Sequence, residues 1–162
     1  MKRGDIVFIR GKGLKSKLTR LIDRGAFSHV AIAISDSKII ESDVGTRVSV
    51  REFSPKEYDY VEVVDLRITI KQRQDVYNSA VQMIGTKYDY VQLIWYGLRR
   101  IFGLKGNNRL NNPKNVICSE MVFIALSRAG ILKSLGIEET NFRGIDLTPN
   151  ELYDLVKYVS KK

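Results

Sequence analysis

Apolar residues in the first part of the chain come in short runs or alternate with polar ones, whereas from about residue 70 onward they recur at helical spacing. The segments "DIVFIR" (5–10), "HVAIAIS" (29–35), "KIIES" (38–42), "TRVSVREF" (46–53) and "YDYVEVVDL" (58–66) are rich in β-branched and aromatic residues, and each predicts a strand. Turns as short as "DS" and "VG" between them favour antiparallel pairing, because parallel neighbours need a long crossover. Between the first two strands, "LKSKLTRLIDRG" predicts a short helix with Leu14, Leu18, Leu21 and Ile22 on one side, closed by Gly25.

The second half reads differently. "KQRQDVYNSAVQMIG" spaces Val76, Ala80, Val81 and Ile84 along one helical face and stops at Gly85. "DYVQLIWYGLRRIFG" (89–103) predicts a further helix, and "SEMVFIALSRAG" (119–130) another, with Met121, Val122, Ala125 and Leu126 in register and Gly130 as its end. "TPNELYDLVKYV" opens with Thr148 as N-cap, Pro149 in the first turn and Glu151 in the capping-box position. Strands first and helices after predict an α+β fold: a small antiparallel sheet or partial barrel packed against helices. No repeat, low-complexity tract or linker divides the chain, so one domain over residues 1–162 is expected.

Composition narrows the class. Apolar content of 44% and charged content of 28% are globular values, and no apolar run is long enough to span a bilayer. The single cysteine, Cys118, excludes an intrachain disulfide, and one Cys with one His cannot supply a four-ligand structural zinc site. The apolar run "IVFI" in the opening segment is too short for a signal-peptide core, so a cytoplasmic location is expected, with release by lysis as the route outward for a phage product. Twenty-seven basic against 18 acidic residues give a net charge of +9, concentrated in residues 10–24 and 99–114. That excess suits an anionic surface, or is simply a solvated face; no zinc-finger spacing, ribonucleoprotein motif or basic zipper accompanies it, so no specific nucleic acid is expected.

Two residues carry candidate chemistry. Cys118 directly precedes a predicted helix, where backbone N–H groups and the positive end of the helix dipole favour a thiolate. A cysteine nucleophile needs a base, and the base a third group to orient it. His29, the only histidine, begins a strand; if that strand pairs with "KIIES", Glu41 lies on the neighbouring strand on the same face as Ile39. Each has an ordinary alternative. Cysteines are often buried filler, a lone histidine often ends a strand, and Glu41 or Asp43 could be exposed strand-end acids.

The set "GDIVF", "FSHVAIAI", "KIIES", "GTKYDY" and "ICSEMV", in that order, resembles the circularly permuted branch of the NlpC-type papain-like superfamily, in particular its YiiX-like members. In that branch the histidine strand precedes the cysteine helix, as it does here. The resemblance implies a papain-like fold with Cys118 as nucleophile, His29 as general base and Glu41 as the residue that orients it. It implies further that Tyr88 in "KYDY" stands near the site and helps to hold an oxyanion, although Tyr88 could equally be a packing residue. Asp5 in "GDIVF" also matches, with the ordinary role of fixing a turn. The lecithin retinol acyltransferase-like branch usually has a second histidine where this chain has Glu41, which points to the peptidase and amidase side. The implied function is a cysteine hydrolase that works through an acyl-enzyme, on cell-wall peptides or other amides; alternatives are a lipid acyl hydrolase or acyltransferase and a non-catalytic module that binds an anionic partner. No metal or organic cofactor is implied. Finally, residues 98–116, rich in Asn and Gly, are expected to form a loop beside the cleft, with Lys105, Arg109 and Lys114 drawing in an anionic substrate.

Overall fold

The computed structural model describes residues 1–90, 97–98, 115–134, 136–137 and 147–161. A five-stranded antiparallel sheet is formed by β1 (Ile6–Arg10), β2 (His29–Ala33), β3 (Lys38–Glu41), β4 (Ser49–Glu52) and β5 (Tyr60–Val64), in the order β4-β3-β2-β1-β5. The helices described include α1 (Leu14–Asp23), α2 (Ile70–Val81), α3 (Cys118–Arg128), the single turn α4 (Ile131–Ser134) and α5 (Pro149–Val159). Two short parallel strands, β6 (Lys87–Tyr88) and β7 (Asn115–Val116), form a separate pair. Most strands fall where alternation and composition put them, although only Ser49–Glu52 of the 46–53 segment enters the sheet.

The inner strands are buried on both faces, while β4 and β5 at the edges are largely exposed, which explains why β1 reads as an unbroken apolar run. Ile6 and Phe8 point to the helices, where Val76, Met121, Val122, Leu126, Leu152 and Val156 complete the larger core. Val7, Ile9, Ala31, Ala33 and Ile39 point the other way and form a second, smaller cluster with Phe53. The second cluster owes its cover to the strand order: β4 and β5 lie on opposite edges, so the segment joining them passes across this face and stacks Phe53 on Tyr58 at 5.6 Å. Phe8, fully buried, meets Tyr153 of α5 edge-on at 5.0 Å; truncating such a ring costs about 3–5 kcal/mol.

Helix starts follow the sequence closely. α2 and α5 each open on a complete capping box, Thr69 with Gln72 and Thr148 with Glu151. α2 buries Val76 and Ala80, but it ends at Val81, so Ile84 lies beyond it and both Val81 and Ile84 are exposed; Met83 takes the inward position instead. α1 departs further from expectation. Its polar face is the one that packs: Ser16 donates to Ser28 Oγ at 2.6 Å, and Asp23 accepts from the side-chain amide of Asn150 in α5. Leu14, Leu18 and Leu21 are left 82%, 56% and 75% exposed. Its stop is also one residue early, because Arg24 and not Gly25 takes the left-handed cap (φ 54°). Gly25 is required for a different reason: a Cβ there would lie 2.0 Å from Asn150 Cγ. Among the described residues no helix is long and apolar enough to cross a membrane.

Candidate active site

α3 begins at Cys118 itself, with Ile117 in extended conformation as N-cap and no side-chain cap. Its first turn therefore lacks the side-chain cap from the N-cap residue that α2 and α5 have. The helix is held in place from several sides. Met121, Val122, Ala125 and Leu126 are fully buried, Ser119 donates to Leu147 O at 2.6 Å, and Ser42 donates to Val116 O at 2.8 Å, tying the end of β3 to the strand that leads into the cysteine.

His29 and Glu41 meet because of strand parity. β2 pairs with β3 through Ile32 opposite Ile40 and Ala33 opposite Ile39, so His29, Ala31, Ile39 and Glu41 all point to one face. Extending that register makes His29 and Glu41 diagonal neighbours across the strands. Their side chains bond, His29 Nε2 to Glu41 Oε2, at 2.7 Å. Glu41 is 3% exposed and its other oxygen accepts from Arg51 Nη1 at 2.9 Å. Arg51 reaches on to Asp43 at 3.7 Å.

The imidazole also lies close enough to Cys118 for the two side chains to interact. With Nε2 committed to Glu41, Nδ1 is the ring nitrogen left for a proton exchange with the thiol. Burial by itself would depress the His29 pKa, but the interaction with Cys118, and after it the bond to Glu41 and its charge, outweigh burial and hold the imidazole well above its ordinary value. Burial pushes Glu41 the other way from its neighbours; His29 first and Arg51 second prevail, so its carboxyl stays below the usual carboxylate range. Tyr88, on β6, is 6% exposed and lies close enough for Cys118 to act on it: burial, then negative charge on Cys118, push its phenol far above the ordinary value. Asp5, by contrast, is remote from this cluster. It accepts from Lys2 N and Arg73 Nη1, both at 2.7 Å, and fixes the turn before β1.

Cys118, His29, Glu41 and Tyr88 line a common cavity of about 680 Å³. One wall is α1, through Leu18, Thr19 and Ile22; the other includes Arg51 and Tyr58. The cavity is not basic among the described residues: Asp23, Asp43 and Glu57 join Glu41 in its lining, against Arg51 and His29. The loop expected over 98–116, with Lys105, Arg109 and Lys114, lies outside the described residues apart from Leu98 and the β7 residues Asn115 and Val116, and so does most of the helix expected over 89–103.

The family model that describes a permuted papain-like amidase enzyme, YaeF/YiiX, of the C92 family, matches residues 1–137. The chain belongs to that family. A crystal structure of the metalloprotein YiiX from Escherichia coli O157:H7 superposes with a TM-score of 0.59 at 17% identity, over 79% of this chain and 66% of that one. At that identity the likeness is one of fold: the antiparallel sheet followed by the cysteine helix is the permuted papain-like arrangement that the motif order implied. This chain thus spans just under two thirds of YiiX. Among the curated proteins none matches. YiiX is called a metalloprotein; among the described residues here, no group of three or more His, Cys, Asp or Glu is arranged to hold a metal ion.

Arg51 is the site residue that sequence reasoning missed. In "TRVSVREF" it reads as one of many exposed charges on an edge strand, and it is 47% exposed. The available signal was parity: Arg51 is paired with Ile39, which sets it on the face that carries Glu41.

Proposed function

We propose that the protein is a cysteine hydrolase of the peptidase and amidase class, acting as one domain, with Cys118 as nucleophile, His29 as general base and acid, and Glu41 as the group that orients His29. The observation that carries this reading is the imidazole held between a buried carboxylate at 2.7 Å and the sulfur at a helix start. His29 Nδ1 accepts the thiol proton, Cys118 Sγ attacks the carbonyl carbon, and the oxygen takes up the negative charge beside the first-turn N–H groups of α3. The proton on His29 passes to the leaving amine as the C–N bond breaks. Water then gives one proton to His29, its oxygen attacks the thioester, and the released acid leaves Cys118 with its proton restored. Glu41 stays ionised through the cycle and supports the imidazolium, with Tyr88 beside the sulfur as a further oxyanion donor.

The walls of the cavity favour a substrate whose acyl part is apolar, since Ile9, Leu18, Ile22, Val44 and Ile117 form much of its surface. An acyl amide or a peptide with an apolar residue at the scissile carbonyl suits them better than a polyanion does. The same lining is what favours the lipid acyl hydrolase as the second reading. A binding module without turnover has less behind it, because it gives no reason for the three side chains to meet.

Hydrolysis of a panel of N-acyl amides, peptides and lipid esters in water labelled with oxygen-18 tests the reading. One labelled oxygen should enter the released acid, and mass spectrometry of quenched enzyme should find the acyl group on Cys118. Turnover that survives Cys118→Ala would remove the proposal, and preference for esters over amides would move it to the second reading.

A further inference from the structure

A helix that packs on a globular protein normally turns its apolar stripe inward. α1 does the reverse. Leu14, Leu18 and Leu21 stand four and three residues apart, hence on one face, and all three are exposed. Ser16 and Asp23, on the other side, carry the bonds to Ser28 and Asn150 that fasten the helix to the protein. The orientation is therefore held by polar contacts, and the leucines remain available to whatever covers them.

Charge selects the class of partner. Lys17 and Arg24 are exposed beside the stripe, while the one acid of α1, Asp23, is turned inward onto Asn150. A second copy of the chain would bring these cations against their equivalents, on a protein of net charge +9. An apolar stripe flanked by lysine and arginine suits the headgroup region of an anionic bilayer, where leucines reach the acyl boundary and cations stay at the phosphates. Leu18 and Ile22 also line the cavity that holds Cys118 and His29, so the stripe runs into the wall of the cleft. We propose that α1 docks the protein onto an anionic membrane surface, with Leu14, Leu18 and Leu21 inserted and Lys17 and Arg24 at the headgroups. Docked in this way, the cleft opens at the bilayer interface.

Co-sedimentation of the whole chain with phosphatidylcholine vesicles, with and without phosphatidylglycerol as about a third of the lipid, tests the proposal by binding alone, independently of any turnover. Vesicles containing phosphatidylglycerol should capture the protein at least about tenfold better than phosphatidylcholine alone, and added salt should reduce the difference. Leu14→Gln with Leu21→Gln should weaken partitioning by about tenfold or more. Ile70→Gln, which removes an 87% exposed apolar side chain from α2, should leave it unchanged. Lys17→Gln with Arg24→Gln should cost about fivefold per charge on the anionic vesicles only. Circular dichroism of each variant checks that α1 persists. Failure of the parent to bind, or equal binding by the leucine variant, overturns the proposal. Dimers in lipid-free sedimentation that dissociate on Leu14→Gln with Leu21→Gln would overturn it as well, and assign the stripe to a second copy.

Discussion

Arg73 and Arg51 each hold two carboxylates, at opposite ends of the sheet, and what they do differs. Arg73, 14% exposed on α2, bonds Asp5 at 2.7 Å and also Asp65, joining α2 to the start of β1 and the end of β5. The remaining oxygen of Asp5 accepts a backbone N–H, from Lys2, and Arg73 also donates to Arg3 O at 3.1 Å, so this cluster closes on backbone. Arg51 bonds buried Glu41 and, at longer range, Asp43, but the remaining oxygen of Glu41 accepts from a titratable ring that faces a cavity. A buried acid shared between a guanidinium and backbone is a fastening. Shared between a guanidinium and an imidazole beside a thiol, the same acid sets a protonation state.

The largest effect should come from the two groups proposed to react. Cys118→Ala and His29→Ala should each lower kcat/KM by about 10⁴-fold in a steady-state assay, and Cys118→Ala should change the urea midpoint little. Comparable loss from Arg73→Ala per folded molecule would break the comparison. Arg73→Ala should instead destabilise the fold by about 3 kcal/mol in urea unfolding, because it leaves Asp5, 3% exposed, without its cation.

Glu41→Gln sharpens the distinction through pH. His29 is held above its ordinary value partly by Glu41, so the imidazolium proposed to protonate the leaving group is lost only as pH rises through that raised value. Removing the carboxylate charge should move the alkaline limb of kcat to lower pH and reduce kcat by about 10–100-fold, read from a pH–rate profile. Stability follows the same signs. The His29 contribution is fully present below its unfolded pKa of about 6.5 and fades as pH rises through the raised folded value. The Glu41 contribution is present above its unfolded pKa of about 4.3 and is lost as pH falls through the lowered one. The stability difference between the parent and Glu41→Gln should therefore be widest between those limits. The smallest effect belongs to Arg51→Gln: with its side chain 47% exposed, solvent screens the pair, and a loss of less than about 1 kcal/mol with a severalfold fall in kcat is expected. A destabilisation as large as that of Arg73→Ala would make the two clusters equivalent.

Legibility in the sequence tracked how local the cause was. The capping box at Thr148 and Glu151, the helix start at Cys118 and the parity that aligns Ile39 with Glu41 are each set within a few residues, and each stands where the pattern put it. The two-residue strands β6 and β7 left no pattern, because their pairing is supplied by segments 28 residues apart, Lys87 with Asn115. The expected basic rim at Lys105, Arg109 and Lys114 falls outside the described residues, while the described walls of the cleft carry more acids than bases.

The sequence by itself determined the kinds of element, their order and the turns and caps between them, since period, propensity and capping act within a turn or a strand. It also carried the motif order that marks the permuted family. Tertiary structure decided which surfaces those elements present. Composition made β5 a strand, but only packing put it beside β1 rather than β4; periodicity made α1 amphipathic, but its bonds with Ser28 and Asn150 turned its leucines outward. Arg51 is one charge among 27 basic residues until β4 pairs with β3 and brings its guanidinium to Glu41. Long-range pairing depends on the summed burial of the whole chain, and no window of sequence holds that sum.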